Sequence, residues 1–223
     1  MHNVWRSGLL VFLCAALLMG CDGQAPTKQW PEILGRLDPA KRMRDTTLPM
    51  AQRLSAAAME RTRHTVRYDP AYLRIPYPGG DVPAAQGVCS DEVIRAFRSL
   101  GIDLQERVHR DMVRNFGRYP KAWGLDRPDA NIDHRRVPNL EVYFARHGQS
   151  LSVSSNPADY RPGDIVTWRL PGNLPHIGIV TELRSRDGQR PLIVHNIGAG
   201  PQLEDALFRY PLHRRFAYPA RQS

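Results

Sequence analysis

Three side chains in this 223-residue chain fall in a pattern that acyl-transfer chemistry can use: Cys89 in GVCSDEV, His176 in PHIGIV and His195 in IVHN. A thiol nucleophile needs a base to take its proton and a third group to orient that base, and the three meet in space while staying apart in sequence. Cys89 opens a helical pattern, where the peptide dipoles of a helix start favour the thiolate. His176 opens a strand, and Gly178 shares its pleat face, leaving room for another backbone, such as that of the cysteine helix, to come close. The next strand carries His195 and then Asn196 on the opposite face. Neighbouring antiparallel strands place one of them beside His176, where one imidazole holds the tautomer of the other.

The elements that must hold these residues follow from periodicity. In GVCSDEVIRAFRSLG, Cys89, Val93, Phe97 and Leu100 line one face of a helix that Gly101 ends. Upstream, TLPMAQRLSAAAMERTRHTV predicts a helix capped by Thr47, with Pro49 near its first turn. A second helix is expected over about Leu104 to Phe116, and a short one in PNLEVYFARHG, closed by Gly148. Between them, residues 117–138 show no period and read as a long irregular loop, a frequent home of function. After RPGD the pattern changes to strands over 164–170, 176–183 and 192–198, with a less clear one around Phe208 to Tyr218. Helices first and a small antiparallel meander afterwards predict an α+β fold.

The N-terminus sets the compartment. The apolar run Leu9 to Met19 is too short to span a bilayer and reads as a secretory signal peptide over residues 1–20. Leu18-Met19-Gly20-Cys21 resembles a bacterial lipobox, which implies lipidation of Cys21, a membrane anchor and a periplasmic location. Asp22 implies retention at the inner membrane. Residues 21–45 then read as a lipidated tether and 46–223 as one catalytic domain. Cys14 leaves with the signal and Cys21 takes lipid, so Cys89 stays as a lone thiol where disulfides are the rule. With 31 Lys and Arg against 22 Asp and Glu, the net charge of +9 suits an anionic polymer such as the cell wall. No basic run or basic stripe interleaved with aromatics points to nucleic acid.

At these motifs a family resemblance emerges. A helix-opening Cys, a Gly-Asp strand (RPGDIVTW), HIGIV and IVHN together resemble the papain-like fold of NlpC-type cell-wall peptidases and amidases. The stretch from YPGGDVP to the C-terminus resembles the YijF-like bacterial family, a domain-of-unknown-function group, over roughly residues 66–218. The resemblance implies N-terminal helices packed on a small antiparallel sheet or half-barrel. It implies Cys89 as nucleophile, His176 as general base and then acid, and His195 as orienting residue, hydrolysing amide bonds of peptidoglycan stem peptides. Two features depart from the pattern: Ser90-Asp91 stands where Ser-Gly is usual, and nineteen positions separate the histidines.

Other residues have weaker claims. Asn196, or the pair Glu204 and Asp205, is the alternative third group. Arg135 and Arg136 suit substrate carboxylates through bidentate contacts, Tyr77, Trp123 and Trp168 suit a cleft wall, and Gln86 is a weak candidate for an oxyanion donor. Zinc would need a fourth ligand and a short ligand pair that Cys89, His176 and His195 do not provide, so neither metal nor cofactor is expected. A binding lipoprotein without turnover and an acyltransferase on the same triad are the alternative functions. The oligomeric state is left open.

Overall fold

The computed structural model describes residues 37–221. The expected signal peptide, Cys21 and Asp22 lie outside the described residues. Pro39–Arg44 (α1), within the stretch read as tether, form a short helix capped by the Asp38 side chain. It packs on Met50–Arg61 (α2), where Arg53 donates to the Met43 carbonyl at 2.9 Å. Pro49, not Thr47, occupies the cap of α2, because the Thr47 hydroxyl is taken by Asp45 at 2.6 Å.

Arg67–Tyr68 (β1) and Gln86–Gly87 (β2) make a two-residue parallel ladder that sets Tyr68 beside the segment leading into Cys89–Arg98 (α3). Along α3, Cys89, Val93, Ile94, Ala96 and Phe97 are buried, and Gly101 stops the chain with a φ of 78° that only glycine adopts freely. Leu104–Asn115 (α4) is capped by Asp103, and Val137–His147 (α5) completes the helices.

Six strands form one antiparallel sheet: Gln149–Leu151 (β3), Ile165–Leu170 (β4), Leu174–Arg184 (β5), Pro191–His195 (β6), Gln202–Glu204 (β7) and Leu212–Ala217 (β8), in the order β3-β8-β4-β5-β6-β7. The architecture is α+β, as the patterning predicts, with β3 and β7 added to the expected strands. Strand alternation divides the sheet into two faces. Ile165, Ile177, Ile179, Leu192, Val194 and Phe216 meet the helices in one core that includes Cys89, Phe97 and Phe144. Val166, Trp168, Val180 and Ile193 meet Tyr160, Ala206 and Leu207 in a second, smaller core on the other face.

What fixes the start of α3 against this sheet is electrostatic. The Asp91 carboxylate accepts the backbone N–H of Val88 at 2.7 Å, tying down the turn before Cys89. It also receives Arg135 as a two-point fork, Nε to Oδ1 at 2.8 Å and Nη2 to Oδ2 at 2.9 Å. Both side chains are almost wholly buried, 2% and 3% exposed. The Arg135 carbonyl accepts the Ser90 hydroxyl at 2.6 Å, so two successive α3 residues are held by one residue of the irregular segment.

Removing one partner of such a pair strands the other charge in a dry interior. Arg135→Met should therefore cost about 3–5 kcal/mol in urea unfolding, whereas the double variant Asp91→Leu/Arg135→Met should recover a large part of that loss. Equal loss in both would mean the pair is not the anchor of α3.

Candidate active site

Cys89 is the first residue of α3 and is buried in the helix-side core. Pairing of β5 with β6 begins at Gly178 opposite His195, so the Ile177 amide, one residue earlier, is free to donate to the Cys89 sulfur. The amides of Ser90 and Cys89 also point at the sulfur. Burial outweighs these donors and, with the nearby charge of Asp91 acting in the same direction, pushes the thiol up to about 12. The helix-start dipole expected to favour the thiolate is thus overridden by desolvation in the resting protein.

His176 stands beside Ile177 but projects from the opposite face of β5, toward Trp168, whose ring centroid lies 5.6 Å away. The sulfur thus sits at the Ile177 amide on one side of β5 and the imidazole of the adjacent residue lies on the other, with no direct hydrogen bond between the two side chains. His176 Nε2 and His195 Nδ1 are 2.8 Å apart, and both rings are buried. Burial first, and then the proximity of His195, hold His176 down to about 3, so it is a neutral imidazole at physiological pH. His195 Nε2 lies 3.0 Å from Glu204 Oε2, the same oxygen that accepts Arg209 Nη1 at 2.9 Å. The structure thus brings the two expected histidines together and adds Glu204, one of the alternative third groups, beyond them.

Around the sulfur lies a cleft of about 240 Å³ lined by Tyr68, Trp123, Ile132, Arg136, Val137 and Pro175, among others. Apolar side chains dominate it, and Arg136 supplies a cation at its wall, its guanidinium 4.2 Å from the centroid of the Trp123 ring. Tyr68 was not singled out by sequence reasoning. Its phenol is pushed up to about 12 by burial and by the negative charge that Cys89 and Asp91 carry when ionised, so it remains a donor throughout the physiological range. The only advance signal for Tyr68 was its position in a short β-type segment ahead of the Cys motif.

Several expected roles need correction. Arg135 lines the cleft, but its bidentate Nε/Nη2 edge is occupied by Asp91 and its Nη1 donates to the Ala71 carbonyl at 3.0 Å, so all three nitrogens already have partners inside the protein. Tyr77 packs edge-on against His109, with centroids 4.9 Å apart, and is absent from the residues lining the cysteine cleft. Asn196 is fully buried and its Oδ1 accepts the Gly198 amide at 3.0 Å, so it shapes its own turn. Trp168 is a core residue whose indole donates to the Leu207 carbonyl at 3.0 Å. Gln86 too is absent from the cleft lining, and its part is that of backbone, its main-chain carbonyl accepting Arg95 at 2.8 Å. Asp205 is committed to Arg190 at 2.6 Å. The space at Gly178 admits β6 and not the cysteine helix: a Cβ there would lie 2.9 Å from the Val194 carbonyl and 3.1 Å from His195 Cβ. Among the described residues, no group of three or more His, Cys, Asp or Glu side chains is arranged to hold a metal ion.

Comparison with known proteins agrees with the expected family. Two solved structures are similar, NlpC1 and NlpC2 from Trichomonas vaginalis, each with a TM-score of 0.41 and with 17% and 18% sequence identity. The likeness covers 75% and 77% of this chain but only 43% and 48% of theirs, so the chain spans less than half the length of either. The uncharacterized protein YijF of Escherichia coli (strain K12) is 54% identical over 165 residues, 74% of this chain and 80% of that protein. Residues 55–218 match the family model described as "Domain of unknown function (DUF1287)", and on that match and the YijF identity the chain belongs to the DUF1287 family.

Proposed function

We propose that this protein is a cysteine hydrolase of amide bonds, acting on peptidoglycan stem peptides by a Cys89-His176-His195 mechanism. The observation that carries the reading is a helix-opening thiol held by the backbone amide of Ile177, next in the chain to His176, whose ring lies 2.8 Å from a second buried imidazole. The resting pair is a neutral thiol and a neutral imidazole, so proton transfer accompanies attack instead of preceding it. His176 takes the thiol proton as sulfur adds to the amide carbonyl, and the Tyr68 hydroxyl, on a residue that lines the same cleft as Cys89, serves as a donor to the oxyanion. The imidazolium then protonates the departing amine, leaving a thioester. Water, deprotonated by His176, hydrolyses the thioester and restores the thiol with release of a carboxylic acid.

Arg136, with Asp133 as a loose partner at 3.5 Å, is the cation placed to meet a substrate carboxylate. Anchoring by lipid at Cys21, on the periplasmic side of the inner membrane, would keep such an enzyme next to its polymer. Incubation of the mature protein with purified muropeptides, followed by mass spectrometry, should show new fragments that Cys89→Ala does not produce. Identical, unchanged product profiles for both would refute the hydrolase reading.

The buried, protonated thiol favours a second reading, a wall-binding lipoprotein without turnover, in which case Cys89→Ala would retain muropeptides as well as the parent protein does. An acyltransferase would share the thioester and differ only in passing the acyl group to an amine or hydroxyl.

The direction of the thiol shift gives a separate test. Because burial raises the Cys89 pKa from its ordinary value to about 12, the thiolate fraction at neutral pH is smaller than that of a free cysteine, and iodoacetamide labelling should keep rising beyond pH 9. A labelling midpoint below the ordinary thiol value of about 8.5 would instead reveal a preformed thiolate-imidazolium pair.

A further inference from the structure

We propose that Glu204 is a positioning residue that fixes the tautomers of both active-site histidines, so that Glu204, His195 and His176 form a directional relay ending at His176 Nδ1. The inference rests on the hydrolase reading for its purpose, while the proton placement stands on geometry.

A carboxylate only accepts, so the 3.0 Å contact between Glu204 Oε2 and His195 Nε2 requires the proton on that nitrogen. With a single ring proton, already committed to Glu204, His195 presents Nδ1 as an acceptor. The 2.8 Å contact is then donated by His176, which places its ring proton on Nε2. The lone pair that remains is on His176 Nδ1, the nitrogen free to take the thiol proton. Reversing either histidine would set two protons or two lone pairs against each other in a buried site, at the cost of a lost hydrogen bond.

The fold builds this arrangement deliberately from register. His195 pairs with Gln202 and Ile193 with Glu204, so Glu204 lies diagonally across from His195 on the same pleat face, within reach of a long side chain. The bond from His195 is the largest influence on Glu204 and, against the effect of burial, holds its carboxyl below the usual range, keeping it an acceptor. Arg209, on the same oxygen, is 45% exposed, so its removal leaves the His195 contact in place.

Histidine ¹⁵N chemical shifts at neutral pH read the tautomers with no substrate present, so a protein that fails to cleave muropeptides still answers the question. Expected are Nε2–H forms for both His176 and His195 in the parent protein and in Glu204→Gln, whose carbonyl accepts equally well, and unchanged forms in Arg209→Gln. Glu204→Leu should mix the His195 tautomers and slow Cys89 labelling at pH 7 on the order of tenfold or more, a share of the ~10²–10⁴ that a positioned base contributes. Parent spectra with the proton on His195 Nδ1 would overturn the proposal even if Glu204→Leu did not fold. So would a folded Glu204→Leu with parent-like spectra and labelling, or an Arg209→Gln variant that reproduced the Leu phenotype, since Glu204 would then act only as a surface ion-pair partner.

Discussion

The buried fork between Arg135 and Asp91 is the constraint on which the site depends. A helix start beside a sheet is a poorly determined place, because its first amides lack intrahelical partners and its side chains have few neighbours. Here the carboxylate at the third helical position caps the preceding amide, while the guanidinium ties the helix to the irregular segment that covers it. The same segment contributes Trp123, Ile132 and Arg136 to the cleft, so one ion pair fixes both the sulfur and the wall opposite it. That gives Asp91 a structural role at the third position of the helix.

Burial sets the chemistry of the resting state. Taking Cys89 out of water raises its pKa, and taking His176 out of water lowers its own, so desolvation disfavours the separated charges twice over. A site of this kind stores no reactive anion, which guards an unpaired buried thiol against adventitious oxidation. In the proposed mechanism reactivity depends instead on where a single proton goes once a substrate carbonyl is present, and therefore on the orientation of the imidazoles.

Much of the scaffold was legible because it rests on strong periodic signals. The face of α3 from Cys89 to Phe97, its glycine stop and the alternation of β4, β5 and β6 all follow from apolar spacing, and alternation alone put His176 and Gly178 on one pleat face. What escaped was set by pairing across long stretches of chain. Arg135 looks like a solvated cation until its carboxylate, 44 positions away, is brought beside it by folding. Glu204 ends a strand of three residues that follows a glycine-rich turn, too short to show a period, so it stood only as an alternative to His195. Tyr77 and Tyr68 are chemically alike, and only the two-residue ladder with Gln86 and Gly87 decides which of them faces the cysteine.

In the proposed mechanism the Cys89 sulfur forms a covalent acyl intermediate with His176 as its base. Intact-mass spectrometry of the protein, acid-quenched within milliseconds to seconds of mixing with muropeptides, measures that intermediate directly. A transient adduct on Cys89 of acyl-fragment mass that hydroxylamine releases is expected, and none in Cys89→Ala or His176→Ala. Cleavage products appearing with no adduct at any quench time, or an adduct that survives His176→Ala at parent rates, would contradict that mechanism.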